Sequence, residues 1–111
     1  MKAENIMDAI PDNLHAEVFE DIIKSSTVRL ERIVSKGQFT PADSWYDQDE
    51  NEWVMVVEGK AILEFEDNMV TLSRGDYVNI PAHSKHKVHW TDSLYGSQFF
   101  TNRFIKFLWT I

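Results

Sequence analysis

The chain has no cysteine. That excludes a disulfide framework, a thiolate metal centre and a cysteine nucleophile. Only four glycines and three prolines occur in 111 residues, so a collagenous or low-complexity chain is excluded as well. Cations are scarce: Lys and Arg number 11 against 18 Asp and Glu, for a formal net charge of -7. An acidic surface repels phosphate backbones and anionic lipid, so neither nucleic acid nor membrane is an expected partner. Long apolar runs are absent too. The opening MKAENIMDAIPDN is interrupted by Glu4, Asp8 and Asp12. It lacks the apolar stretch of a signal peptide, and no segment has the length of a bilayer span. The expectation is a cytoplasmic protein.

What is present describes a globular domain. The chain is 43% hydrophobic and its length suits one core. Residues 1–26 differ in texture from the rest. In NLHAEVFEDIIKSS the apolar positions Leu14, Val18, Ile22 and Ile23 approach helical spacing, with Asn13 available as N-cap and Ser25 and Ser26 closing the pattern. The reading is an N-terminal arm or short helix over 1–26, packing on a β domain over 27–111.

From Thr27 onward strands and turns alternate. TVRLERIV is β-branched and precedes Gly37. WVMVV ends at Gly59, AILEF runs to the turn Glu66-Asp67-Asn68, and MVTL runs to Ser73-Arg74-Gly75-Asp76. YVNI stops at Pro81, HKVHW follows the HSK turn, and FIKFLWTI is the last strand. Short strands with turns every 8–12 residues mark an all-β barrel or sandwich.

Alternation along the strands picks out a pocket. Glu52, Val54 and Val56 share one face, and His86, Val88 and Trp90 share another. Extending the first pattern upstream adds Gln48 and Tyr46, whereas Asp47 joins only through a bulge. A carboxylate and an imidazole among apolar neighbours suit a small-molecule ligand, an acid–base pair or a metal. The plainer alternatives stand beside this. His86 is then a buried histidine bonded to Glu52, and His83 is a surface turn residue. His89 has the opposite parity and is exposed, and His15 has no chemical role. The four Trp belong to the core, except that Trp90 is assigned to the pocket. Asp47, Asp49 and Glu50 form a solvated loop without calcium-loop spacing, and Asp76 caps a turn. Trp53, Met55 and Val57 lie opposite the inward set and need cover, for which the arm and a homodimer are the candidates.

At this point the residues resemble the cupin family. Its second motif runs Gly, five residues, Pro, any residue, Gly, two residues, His. Here Gly75, Pro81 and His86 keep that spacing, with His83 in place of the second Gly. The first motif ends in Glu, six residues, Gly, matched by Glu52 and Gly59. The resemblance covers residues 30 to 110, and the longer segments are similar to short bacterial cupins without an assigned function. It implies a double-stranded β-helix, or jelly-roll barrel, and a homodimer. It also brings in a divalent metal, which such proteins hold with His-x-His, Glu and His. The His-x-His positions here are Tyr46 and Gln48, or Trp45 and Asp47 in the shifted register. The expected metal set is therefore Glu52, His86 and Gln48, with Asp47 or His83 as alternatives, and binding weak or absent. Three functions stay open: a small-molecule-binding cupin with ligand contacts from Tyr46, Gln48, Glu52, His86 and Trp90; a metal-dependent dioxygenase or isomerase; and a metal-free isomerase in which Glu52 and His86 exchange a proton with substrate.

Overall fold

The computed structural model describes residues 1–9, 16–35, 37 and 39–91, and the backbone of 102–109. Eight strands follow in order: β1 Val18–Lys24, β2 Val28–Ser35, β3 Asn51–Glu58, β4 Lys60–Phe65, β5 Met69–Ser73, β6 Tyr77–Ile80, β7 His86–Thr91 and β8 Asn102–Trp109. They form a five-stranded sheet, β1-β2-β8-β3-β6, and a three-stranded sheet, β5-β4-β7, with antiparallel pairing throughout. The inner faces meet in one core of Ile33, Val54, Val56, Ala61, Leu63, Leu72 and Ile80, drawn from both sheets. These are the inward positions of strands that alternate in the sequence, as β3 shows with Glu52, Val54 and Val56 buried between half-buried neighbours. Burying a Val, Leu or Ile side chain stabilises by about 1.5–3 kcal/mol, so this face sets strand register.

Glycines carry two of the sheet-to-sheet crossings. Gly59, at φ 94°, is the only residue between β3 and β4, which lie in different sheets. Gly75, at φ 85°, turns β5 into β6. That turn is tied down on both sides. Its Asp76 carboxylate accepts from Ser73 N at 2.8 Å, and Gly75 N and Val56 N exchange hydrogen bonds across to β3 with Val56 O and Asp76 O, at 2.7 and 3.0 Å. Asp76 thus has the turn-capping role expected of it.

The structure corrects the sequence reading in three places. First, no helix occupies the N-terminal region among the described residues; Val18–Lys24 is strand β1, paired with β2. A register shift between Asp21 and Ile23 leaves Ile22 as an extra residue. It is this bulge that spaces Val18, Ile22 and Ile23 like a helix. A helix that short is marginal alone, whereas β-branched residues beside an open sheet edge gain a ladder of backbone hydrogen bonds. Asn13, Leu14 and His15 lie outside the described residues. Second, no hydrogen bonds join the two sheets edge to edge among the described residues, so the architecture is a two-layer jelly roll and not a closed barrel. Third, β7 also bulges. Leu63 pairs with Val88 but Ile62 pairs with Trp90, so His89 is passed over and the facing inverts. Thr91 is buried and Trp90 is 39% exposed. The pocket position assigned to Trp90 belongs to Thr91.

No helix among the described residues is long and apolar enough to cross a membrane.

The bulge makes a direct prediction. Trp90→Ser should change unfolding free energy by no more than about 0.5–1 kcal/mol, as for other surface substitutions. Thr91→Trp, forcing an indole into the core, should cost about 1–3 kcal/mol or more. Chemical denaturation of both variants checks this, and the reverse order would restore an unbulged β7.

Candidate functional site

The site is built from the two polar residues that the strand pattern places inside the core. Glu52, on β3, is 4% exposed and His86, at the start of β7, is 5% exposed. They come from opposite sheets, and His86 Nε2 stands 3.3 Å from Glu52 Oε2. That is an ion-pair distance, with alignment short of a hydrogen bond. The other ring nitrogen, Nδ1, lies 2.8 Å from the Ser84 carbonyl oxygen. A carbonyl only accepts, so Nδ1 carries a proton and donates it there. Nε2 is thereby the nitrogen that faces the carboxylate. Two rings flank the imidazole: Tyr46 at 5.8 Å and Phe65 at 6.0 Å between centroids.

Glu52 and His86 line a cavity of about 70 Å³ between the sheets. Its walls are Ile33, Val54, Leu63, Ile80 and Val88, with Thr91 as a further polar group. Glu17, Phe19 and Tyr46 also line it. Phe19 is 59% and Tyr46 44% exposed, which places them at the mouth. Tyr46 is held by its backbone. Tyr46 N donates to His86 O at 2.7 Å and His86 N donates to Tyr46 O at 3.1 Å, an isolated antiparallel bridge. Sequence reasoning missed Glu17, Phe19 and Thr91. The first two lie in the segment expected to be an arm or short helix, and the bulge hides the third. The β-propensity of Val18, Ile22 and Ile23 was the signal available for β1.

The other candidates fall elsewhere. Trp45 faces away from the cavity, with the Lys87 ammonium 4.2 Å from its ring centroid, so in the degenerate first motif it is Tyr46 that borders the cavity. Asp47 Oδ1 pairs with His83 Nδ1 at 3.0 Å on the exposed rim. Gln48 is half-buried. Its backbone oxygen accepts from His83 N at 2.7 Å, and its Oε1 is buried with no hydrogen-bond partner among the described residues. It does not line the cavity among those residues. His89 is exposed and meets Glu64 at 3.1 Å.

A divalent metal does not fit this donor set. Structural and catalytic sites for zinc take three or four protein donors. Among the described residues no group of three His, Cys, Asp or Glu side chains is gathered. Glu52 and His86 stand together, but Asp47 and His83 are engaged with each other on the rim.

His83 occupies the glycine position of the second motif and adopts φ 63°. For a residue with a Cβ this left-handed conformation costs about 1–2 kcal/mol. The exposed pairing with Asp47 returns little of that. His83→Gly should therefore be more stable than His83→Ala by about 1 kcal/mol in equilibrium denaturation. Equal stabilities would show that the loop carries no strain.

The comparisons agree with the geometry. The cupin domain family matches residues 31–95. A crystal structure from Ralstonia eutropha, of a protein carried as a candidate mannose-6-phosphate isomerase, is 31% identical over 100% of both chains, with a TM-score of 0.90. At 14% and 18% identity the likeness concerns the fold alone. A cupin superfamily protein from Desulfitobacterium hafniense superposes with TM-score 0.73 over 92% of this chain and 84% of its own. An RmlC-like cupin from Desulfovibrio desulfuricans superposes with TM-score 0.69 over 96% and 95%. No protein of curated function matches the chain by sequence. The motif spacing, the two-sheet jelly roll and these matches together make the chain a member of the cupin family.

Proposed function

We propose that this cupin binds a small molecule in the cavity between its sheets, with Glu52 and His86 as the polar anchors. The observation that carries this reading is the orientation of His86. Its Nδ1 meets the Ser84 carbonyl, which turns Nε2 toward the Glu52 carboxylate, and both residues line a cavity whose described walls are mostly apolar. Burying two ionisable groups in a core is costly. A residue pair kept only for stability has cheaper apolar substitutes, which favours a ligand-directed role.

A second reading is a metal-free isomerase in which Glu52 and His86 exchange a proton with substrate. The closeness of Nε2 to Oε2, an imidazole beside a carboxylate, supports it, as does the isomerase name of the 31% identical protein. A metal-dependent dioxygenase or isomerase has less support, since no group of three His, Cys, Asp or Glu side chains is gathered among the described residues. A cytoplasmic location remains our reading, and the acidic composition supports a protein without nucleic acid or membrane as partner.

We also propose a homodimer. The outer face of the five-stranded sheet carries Trp53 and Met55, both half-buried. Tyr77, 65% exposed, leans on Trp53 at 5.3 Å. The N-terminal segment covers another part of that face, where the Arg32 guanidinium donates to the carbonyls of Ile6 and Asp8. The Trp53, Met55 and Tyr77 side is left for a second copy. Sedimentation at micromolar concentration should show a species of twice 13.0 kDa, and Tyr77→Lys should weaken it. Finding only the 13.0 kDa species in the parent protein would refute the dimer.

The binding reading is tested by screening a metabolite panel for thermal stabilisation, with the parent protein and His86→Ala side by side. Removing the imidazole takes a close neighbour from a buried carboxylate and should cost about 1–3 kcal/mol. Compounds that stabilise the parent should lose their effect on the variant. A variant of parental stability, with every ligand response intact, would place the function elsewhere.

A further inference from the structure

We infer that Phe65 is a gate: its ring closes the Glu52–His86 cavity off from a larger open groove, and its position decides how large a ligand the site takes. This rests on the binding role proposed for Glu52 and His86 and adds the residue that governs access and size.

The cavity by itself is small. It measures about 70 Å³, against the roughly 300–1,000 Å³ of ordinary ligand clefts. A groove of about 560 Å³ lies beside it, between the turn at residues 66–68 and the loop at residues 83–85. Phe65, Val70 and Val78, all half-buried, form the apolar floor of that groove. Each is the direct strand neighbour of a cavity residue: Phe65 of His86, Val70 of Leu63 and Val78 of Val54. The two spaces therefore lie side by side, one layer of side chains apart. Within that layer Phe65 is the piece that moves. Valine is stiff at χ1 and too short to open a passage. The Phe65 ring stands 6.0 Å from the His86 imidazole, between centroids, and borders the groove as well. Its backbone is held, with Phe65 N donating to Asn68 O at 2.8 Å across the turn. Motion is thus confined to the side chain, which hops between staggered rotamers. A ring that swings into the groove enters space that no described residue fills. It gives up contact with the core on the way, so the closed position is the resting one. With the ring swung out, cavity and groove join into a space within the range of ordinary ligand clefts. At the mouth, Phe19 and Tyr46 are already exposed, and moving them adds open solvent and no walled volume.

The test measures access to His86 and needs no ligand. Diethyl pyrocarbonate is a neutral reagent with more non-hydrogen atoms than the cavity has room for waters. It acylates neutral imidazole, and peptide mass spectrometry reads each histidine separately. Full-length parent, Phe65→Ala, Phe65→Leu and Phe65→Trp are compared on the pH plateau where the imidazole is neutral. Exposed His89 serves as internal reference. Relative to His89, the His86 rate should rise by at least about tenfold in Phe65→Ala and by a smaller factor in Phe65→Leu. It should not rise in Phe65→Trp. Leu72→Ala truncates a buried residue of the same core that lines neither space, and should leave the His86 rate within about twofold of the parent. An equal rise in Leu72→Ala means that the core has loosened generally, and overturns the gate. So does a parental rate in Phe65→Ala and Phe65→Leu. A response to Phe19→Ala alone puts the entrance at β1 and overturns it as well. Should Phe65→Ala fail to fold, Phe65→Leu decides. Because the reagent reports access alone, an open gate with no hit in the metabolite screen removes the binding role and keeps the gate. A ligand found while Phe65 is inert does the reverse.

Discussion

Two backbone hydrogen bonds between Tyr46 and His86 hold the site together. The strand β7 is one of the two edges of the three-stranded sheet, and an uncovered edge invites pairing with other chains. Here the segment from Phe39 to Tyr46 covers it. Thr40 N donates to Val88 O at 2.9 Å, Val88 N donates to Thr40 Oγ1 at 3.0 Å, and the Tyr46–His86 bridge completes the cover. The Lys87 ammonium, buried on the opposite side of β7 from His86, reaches the Ala42 carbonyl at 2.7 Å and lies over Trp45. The same contacts that cover the edge place Tyr46 at the cavity mouth and fix the start of β7, hence the His86 ring.

Most of the fold could be read from the sequence because it follows one rule, alternation against a shared core. Strands β2 to β7 lie where the alternating segments lie, and Glu52, Val54 and Val56 face inward together. The rule fails where a strand contains a residue its neighbour does not match. In β1 the extra residue is Ile22, and the disturbed spacing imitates a helix. In β7 the residue passed over is His89, and everything after it changes face. Nothing in a single sequence announces a bulge, since its cause is pairing with a partner strand far along the chain. The rim was illegible for a related reason. Whether Asp47 turns to a metal or to His83 depends on how two loops approach each other, and loop approach has no period.

The pocket's polarity is also a question of what the surrounding backbone provides. A buried imidazole needs both nitrogens accounted for. The turn after Pro81 supplies one acceptor, the Ser84 carbonyl, two residues before His86. That local contact leaves the far nitrogen for the long-range partner on β3. The Pro81–Lys85 loop is itself anchored, by Asn51 Oδ1 accepting from Ala82 N at 3.1 Å and by His83 N donating to Gln48 O. Both anchors lie just before Glu52, so the two halves of the acid–base pair are braced against each other by their flanking loops.

The bulge in β7 bears on how such a pocket diversifies. Six residues of β7, His86 to Thr91, run alongside five of β4, Ala61 to Phe65. The surplus is taken up where the chain faces solvent, so strand length and cavity composition are uncoupled. Closing the bulge with the sequence unchanged would bring Trp90 opposite Ala61 in place of Thr91, setting an indole where a small hydroxyl stands, while the sheet order and the core upstream stayed as they are. The exposed kink therefore acts as a buffer: loss of its surplus residue would shorten β7 and still leave Thr91 opposite Ala61, so the strand can change length with the cavity lining, the buried carboxylate and the imidazole untouched.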